Sequence, residues 1–246
     1  MNNMSEKLIR KTILQSQHFD RYGNLRPTLL LNELQGMGDK HAENLGCGRT
    51  YLTAHNIAWV VTHYLVDIVK MPFEGEIVDF ITWPSVTDNL RAIRDFEIRD
   101  SESGELLVRA TSQWVLIDLE RRRPMRLNEN LPVWPTNNER AWNRTFDKFP
   151  DFEPTATHIM KCRFDDVDVN QHINNAVYAT WASESVGYKF RNEHVLRRFE
   201  VNYKKEISPD NPSVSVDVAI DGNVSHHRIR TDDVHHAYVI CYWDNR

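Results

Sequence analysis

Twice in 246 residues, one helical pattern is followed by four strand-like segments with no further helix between them. In the first copy a strand candidate at 11–18 and a turn at 22–27 lead to a helix capped by Thr28. Leu30, Leu34 and Met37 share its face, Ala42 and Leu45 follow, and Gly46 closes it. Gly36 and Gly38 weaken this helix on propensity, so it needs tertiary support. Strands are predicted over 53–70, 76–83, 90–100 and 106–119, with a hairpin turn at Ser101-Glu-Ser-Gly104 joining the last two. In the second copy a strand at 158–164 precedes a helix at 175–191 and strands at 195–207, 213–220, 226–230 and 237–243. Phe199, Val201 and Tyr203, and again Val214, Val216, Val218 and Ile220, alternate with the period of 2 that a one-sided sheet requires. The order predicts an α+β fold built by internal duplication. An alternating βαβ nucleotide-binding sheet is excluded, and no glycine-rich phosphate loop is present.

Between the copies, residues 121–154 are rich in Pro and Asn and read as a linker, with a short helical turn at 138–143. Pro124, Pro132, Pro135, Pro150 and Pro154 mark it. Composition is that of a globular chain, and a net charge of -5 argues against nucleic acid as a partner. Cys47, Cys162 and Cys241 are odd in number and widely spaced, so neither a disulfide framework nor a zinc or redox motif is expected. The N-terminus has no apolar signal core and no stretch is long enough for a membrane span, which predicts a cytoplasmic protein.

The copies differ in one respect. Ahead of the first helix, Asn24-Leu-Arg-Pro-Thr28 carries neither His nor carboxylate. Ahead of the second, residues 166–175 hold two carboxylates, four amides and an imidazole. Asn174 or Asn175 suits the N-cap, and Val177, Trp181 and Tyr188 continue at helical spacing. If extended, Asp166, Asp168, Asn170 and His172 would share one face, a costly face to bury without a function. Asp-x-Asp-x-Asn resembles the start of a calcium loop, but Gln171 and Val177 stand where that loop needs Gly and Glu. The doubled histidines His226-His227 and His235-His236 read as a solvent-facing hairpin rather than a metal site.

Three segments carry a resemblance over most of the chain. Asp166-Val-Asp-Val-Asn-Gln-His-Ile-Asn-Asn-Ala-Val-Tyr178, Gly104-Glu-Leu-Leu-Val-Arg-Ala-Thr-Ser-Gln-Trp-Val115 and Val201-Asn-Tyr-Lys-Lys-Glu206 are similar to recurrent blocks of the acyl–acyl carrier protein thioesterases of plants and bacteria. The resemblance implies a tandem hotdog: 1–125 for acyl-chain binding, 126–153 as linker and 154–246 as the catalytic hotdog. It implies hydrolysis of the thioester joining a fatty acyl chain to acyl carrier protein, with no cofactor and no metal. Its catalytic positions fall on Asp168, Asn170, His172 and Glu206. Many plant members have Cys directly after the strand glutamate; this chain has Ile207, which removes a thiol nucleophile there. A plastid leader like that of plant members is not expected.

Thioester hydrolysis needs an activated water and a site for oxyanion charge. Glu206 or Asp168 is the base, with His172 sharing the proton, and the helix start at 174–177 with the Asn170 amide receives the oxyanion. Leu30, Leu34, Met37, Leu45, Trp59, Phe80 and Trp83 are candidates for an apolar acyl tunnel. Arg121-Arg-Arg123, Arg197-Arg198 and Lys204-Lys205 are candidates for docking the acidic carrier. Unpaired sheet edges leave a homodimer open. The competing readings are an acyl-coenzyme A thioesterase, a non-catalytic acyl- or carrier-binding hotdog, and a hotdog dehydratase, whose usual isolated His and carboxylate differ from this motif.

Overall fold

The computed structural model describes residues 7–132, 137–146 and 148–246. The first six residues, on which the expectation about a leader fell, and Pro135 of the linker lie outside the described residues. The chain forms two compact units, Met1–His18 with Asn32–Thr145 and Phe19–Leu31 with Phe146–Arg246.

In the first unit β1 (Leu8–Ile13) is followed by helix α1 (Pro27–Asn44), whose first turn belongs by this division to the second unit, and a short α2 (Arg49–Ala54). Strands β2 (Ile57–Ile68), β3 (Ile77–Thr87), β4 (Arg91–Asp100), β5 (Leu106–Asp118) and β6 (Arg123–Met125) and helix α3 (Leu127–Asn130) complete it. The strands pair antiparallel in the order β1-β3-β4-β5-β2, with β6 also on β5. Tyr64, Phe80, Trp83 and Phe96 are fully buried. Each such side chain contributes about 1.5–3 kcal/mol by leaving water. Gly38 has a local reason to be glycine: a Cβ there would come within 3.1 Å of Arg94 Cδ where β4 passes the helix.

Four expectations fail here. Thr28, expected as the cap, lies inside α1, which starts at Pro27. The strand expected over 11–18 ends at Ile13, with a 3-10 turn at Ser16–His18. The strand predicted from residue 53 starts later, because residues 49–54 form α2 and Asn56 turns the chain with a φ of 55°. Residues 138–143 are not helical. Their groups are engaged elsewhere: Trp83 Nε1 donates to the Glu139 carbonyl (2.8 Å), and Arg140 pairs with the fully buried Asp95 (2.7 Å). An extended strap, rather than a helix, serves these partners.

In the second unit β7 (Ala156–Lys161) precedes α4 (Asn175–Ser185), α5 (Tyr188–Glu193), β8 (His194–Tyr203), β9 (Ser213–Asp221), β10 (Val224–Thr231) and β11 (Val234–Asn245). The antiparallel order is β7-β9-β10-β11-β8. Helix α4 is packed against this sheet and buried on nearly every side, from Ala176 to Ser185. A helix this apolar all round belongs inside its sheet. The single helix expected over 175–191 is instead two, because Gly187 takes a φ of 85° and ends α4. Tyr188, expected on the buried face, is 68% exposed.

The two units have the same connectivity. In each, the strand before the long helix lies at one edge beside the second strand after it, and the first strand after it pairs with the fourth. This is the hotdog plan, twice, and the class is α+β.

Candidate active site

The polar cluster is a folded turn, not an extended strand. A one-turn 3-10 helix, Phe164–Asp166, precedes it, and an isolated antiparallel bridge joins Val167 to Ile173. Between them the chain reverses: the Asp168 N–H donates to the His172 carbonyl (2.8 Å), and the Gln171 N–H to the Asp168 carbonyl (3.0 Å). Gln171 sits at a φ of 61° to permit this. The Asp168 carboxylate closes the turn, accepting the Asn170 N–H at 2.8 Å, the Asn170 side-chain amide at 3.3 Å and the His172 N–H at 3.4 Å. A carboxylate two to four residues from its donors is the usual device for fixing such a loop.

The shared face expected for Asp166, Asp168, Asn170 and His172 does not form. Asp166 is 1% exposed and is held by Arg163, whose guanidinium donates at 2.6 and 3.0 Å and whose N–H donates at 2.9 Å. It anchors the turn from below, and its carbonyl takes the Asn174 N–H (2.8 Å).

Glu206 arrives from the segment just after β8. Its Oε2 lies 3.2 Å from His172 Nε2, with the two side chains 42% and 38% exposed. Residues 34 positions apart thus form one pair, beside the Asp168–Asn170 turn. Of the four predicted site residues, the structure brings His172 to Glu206 and Asn170 to Asp168. Ile207 ties the two segments together, its carbonyl accepting the Ile173 N–H (3.3 Å). Burial raises the Tyr178 phenol above its ordinary pKa, a hydrogen bond from the Ile207 backbone opposes the rise, and the charges of Glu206 and Asp168 add to it.

The helix start is not free to receive an oxyanion as expected. Asn174 is the N-cap, its Oδ1 accepting the Ala176 N–H (2.8 Å), while the Val177 N–H goes to the Asn174 carbonyl (3.0 Å). Two of the donors that would have served are already used.

The histidine pairs lie on the expected hairpin, β10–β11, where His235 is exposed and His226 half-buried, but the other member of each pair is buried. His227 is 1% and His236 4% exposed. His227 bonds to Ser185 (2.9 Å) and Ser225 (2.8 Å), and burial drives its pKa down to about 3. His236 lies against the Glu206 segment, its Nδ1 3.1 Å from the Lys205 carbonyl. Sequence reasoning missed it, although adjacent strand residues facing opposite ways do signal one inward histidine per pair. Among the described residues no cluster of His, Cys, Asp or Glu is placed to hold a metal.

Of the expected tunnel residues, Leu30, Leu34, Met37, Phe80 and Trp83 are buried. A small cavity in the first unit, about 30 Å³, is lined by Trp59 and Trp114 with Gly38, Ala42 and Ala92. A cation also faces it: Arg94, buried to 5% exposure, bonds to His41 (3.2 Å) and Thr82 (3.3 Å), and burial lowers its pKa to about 10. Among the candidate docking cations, Arg197 pairs with Asp244 at 2.9 Å and Arg198 lies over the Tyr242 ring, whereas Lys204 and Lys205 are exposed beside Glu206.

Family models match almost the whole chain: the acyl-ACP thioesterase N-terminal domain over residues 6–132 and the C-terminal domain over 151–245. The chain belongs to the acyl-ACP thioesterase family. Among curated members, the chloroplastic oleoyl-acyl carrier protein thioesterase 1 of Arabidopsis thaliana is 30% identical over 199 residues, which cover 74% of this chain and 55% of that protein. The chain spans about half the length of the plant acyl-ACP thioesterases it matches. A Lactobacillus plantarum structure assigned as an oleoyl thioesterase superposes with a TM-score of 0.87 at 26% identity, covering 99% of this chain and 98% of that one. The 12:0-ACP thioesterase of Umbellularia californica shares the fold, with a TM-score of 0.87, 21% identity and coverage of 100% and 99%. Among the described residues no helix is long and apolar enough to cross a membrane.

Proposed function

We propose that the chain hydrolyses the thioester of a fatty acyl chain carried on acyl carrier protein, releasing the free acid. The observation that carries this reading is the His172–Glu206 pair, 3.2 Å apart and open to solvent beside the Asp168–Asn170 turn. Glu206 is the base. Asp168 is the weaker candidate, because its two oxygens already accept three donors from its own turn. Water gives a proton to the Glu206 carboxylate as its oxygen bonds to the carbonyl carbon. The carbonyl oxygen takes up the charge, which the Asn170 amide can meet with the hydrogen not aimed at Asp168. Re-forming the C=O bond expels the sulfur, and the proton held by the Glu206–His172 pair goes to it. The products are a carboxylic acid and the carrier thiol. Asp168, touching no substrate atom in this scheme, sets the aim of Asn170 and His172.

The same reading places the enzyme in the cytoplasm, in fatty acid synthesis, and keeps a homodimer open. Lys204 and Lys205 are the docking cations it favours.

The test is hydrolysis of carrier-linked and coenzyme A-linked acyl chains in competition, with Glu206→Gln, His172→Ala and Asp168→Asn alongside the parent. Each variant loses about two to four orders of magnitude in kcat with an unchanged melting curve. Full activity in Glu206→Gln removes that residue from the mechanism. Preference for the coenzyme A substrate transfers the activity to the competing enzyme class, and tight carrier binding without acid release makes the chain a binding module.

A further inference from the structure

The strand ladder stops at Tyr203, and Glu206 lies three residues beyond it. Beyond the β8–β11 ladder, the Ile207 carbonyl ties this segment to Ile173 on one side, and the start of β11 holds it on the other. Ile229 of β10 faces Ala237 while Arg230 faces His235, so His236 is an extra residue between them. Such a bulge turns one side chain out of the normal alternation. Here His236 and Ala237, neighbours in sequence, are both buried.

His236 grips the Glu206 segment twice. Its carbonyl accepts the Lys204 N–H (2.8 Å) and the Lys205 N–H (3.2 Å). Its imidazole Nδ1 meets the Lys205 carbonyl at 3.1 Å. A carbonyl can only accept, so the proton is on Nδ1. Nε2 is then the acceptor for the Thr231 hydroxyl at 2.7 Å. Thr231 thereby fixes the tautomer that Lys205 requires.

We propose that His236, presented by the β10–β11 bulge, is a positioning residue that fixes the peptide carrying Glu206 and so sets the reach of its carboxylate to His172. Burial lowers the His236 pKa, more than its hydrogen bonds to the Lys205 and Glu206 backbone raise it, so the ring is neutral at pH 7 and its one proton stays directed at Lys205. The ring of His236 bonds to Thr231 and to the Lys205 carbonyl. Its effect passes through one peptide, as outer-shell partners of catalytic groups commonly act.

The inference rests on Glu206 being the base, and its test separates the two. Asn at position 236 keeps a donor near the place of Nδ1; Gln puts its amide out near Nε2. His236→Gln is expected to lose about 10- to 100-fold in kcat with KM within about twofold. His236→Asn is expected to stay within about threefold of the parent. Adding His236→Gln to Glu206→Gln should cost nothing more, since the group being positioned is already disabled. Parental kcat in a folded His236→Gln, no difference between Asn and Gln, or a loss that multiplies in the Glu206→Gln background each overturns the role of His236. Full activity of Glu206→Gln alone instead overturns the base assignment. Should His236→Gln not fold, Thr231→Val carries the test by freeing the tautomer: kcat falls severalfold at constant KM, and a parental kcat overturns the proposal.

Discussion

Cys162 stands four residues before Asp166 and invites a nucleophile's role, which its surroundings oppose. Burial raises its pKa and the Asp166 charge raises it further. Cys162 is partly buried, and Cys47 and Cys241 are fully buried, with pKa values pushed up to about 11 and about 12. A thiol must lose its proton to attack, so none of the three is primed. Cys162→Ala should keep kcat within about twofold of the parent, measured on the carrier-linked substrate. A dead variant with a normal melting curve would replace water attack by thiol attack. At this scale the polar run before an apolar helix, visible in one dimension, drew attention to Asp168, Asn170 and His172. Glu206 was named only through the family resemblance, and the structure sets it beside His172. The bulge that aims His236 was not visible, since one extra residue leaves no mark on the alternation of His235, His236 and Ala237. The shared polar face expected to include Asp166 failed for a related reason: the hold of Arg163 on that carboxylate is not visible in the spacing.

Helix α4 and its continuation show what periodicity can and cannot establish. Trp181 and Tyr188 are seven apart, which one continuous helix would explain, and the pattern runs through Gly187 without warning. The glycine's φ of 85° and ψ of 161° form a conformation open almost to glycine alone, and it separates α4 from α5. There is open space around its Cα, so a methyl group would meet no neighbour. Gly187→Ala should therefore destabilise the fold by about 1–3 kcal/mol through backbone strain alone, read as a lower denaturant midpoint. Unchanged stability would mean that the helices can join. The strap around Arg140 was illegible for a different reason: its partners Trp83 and Asp95 are distant in sequence, and local propensity has no access to them.

At the scale of the whole chain, the duplicated order of helix and strands was readable from pattern alone, and the matching sheet orders of the two units follow it. The chemical asymmetry was readable too, since only one copy carries the polar turn. Acid sensitivity was not, because it depends on burial. His227 has a folded pKa of about 3 against an ordinary 6.5. The unfolded chain therefore binds a proton that the folded chain refuses. Stability from this group is complete above about pH 6.5, falls as the pH drops toward 3 and levels off below. His227→Gln should flatten that part of the stability curve while losing about 1–2 kcal/mol at pH 7 from the bonds to Ser185 and Ser225. Urea midpoints collected between pH 7 and pH 4 decide it, and an equally steep slope in the variant would assign the acid response to other groups.

The openness of the His172–Glu206 pair has a consequence for how it is used. Bathed in bulk water, an imidazole and a carboxylate attract each other weakly and offer an incoming carbonyl little more than the solvent already does. The missing dryness must come from the ligand itself. On the proposed reading, a bulky acyl carrier settling over the turn would roof the pair and strip away its hydration, and the substrate's inert bulk would do part of the chemistry. Small thioesters that fit the same atoms but leave the roof off would be poor substrates however well they bind.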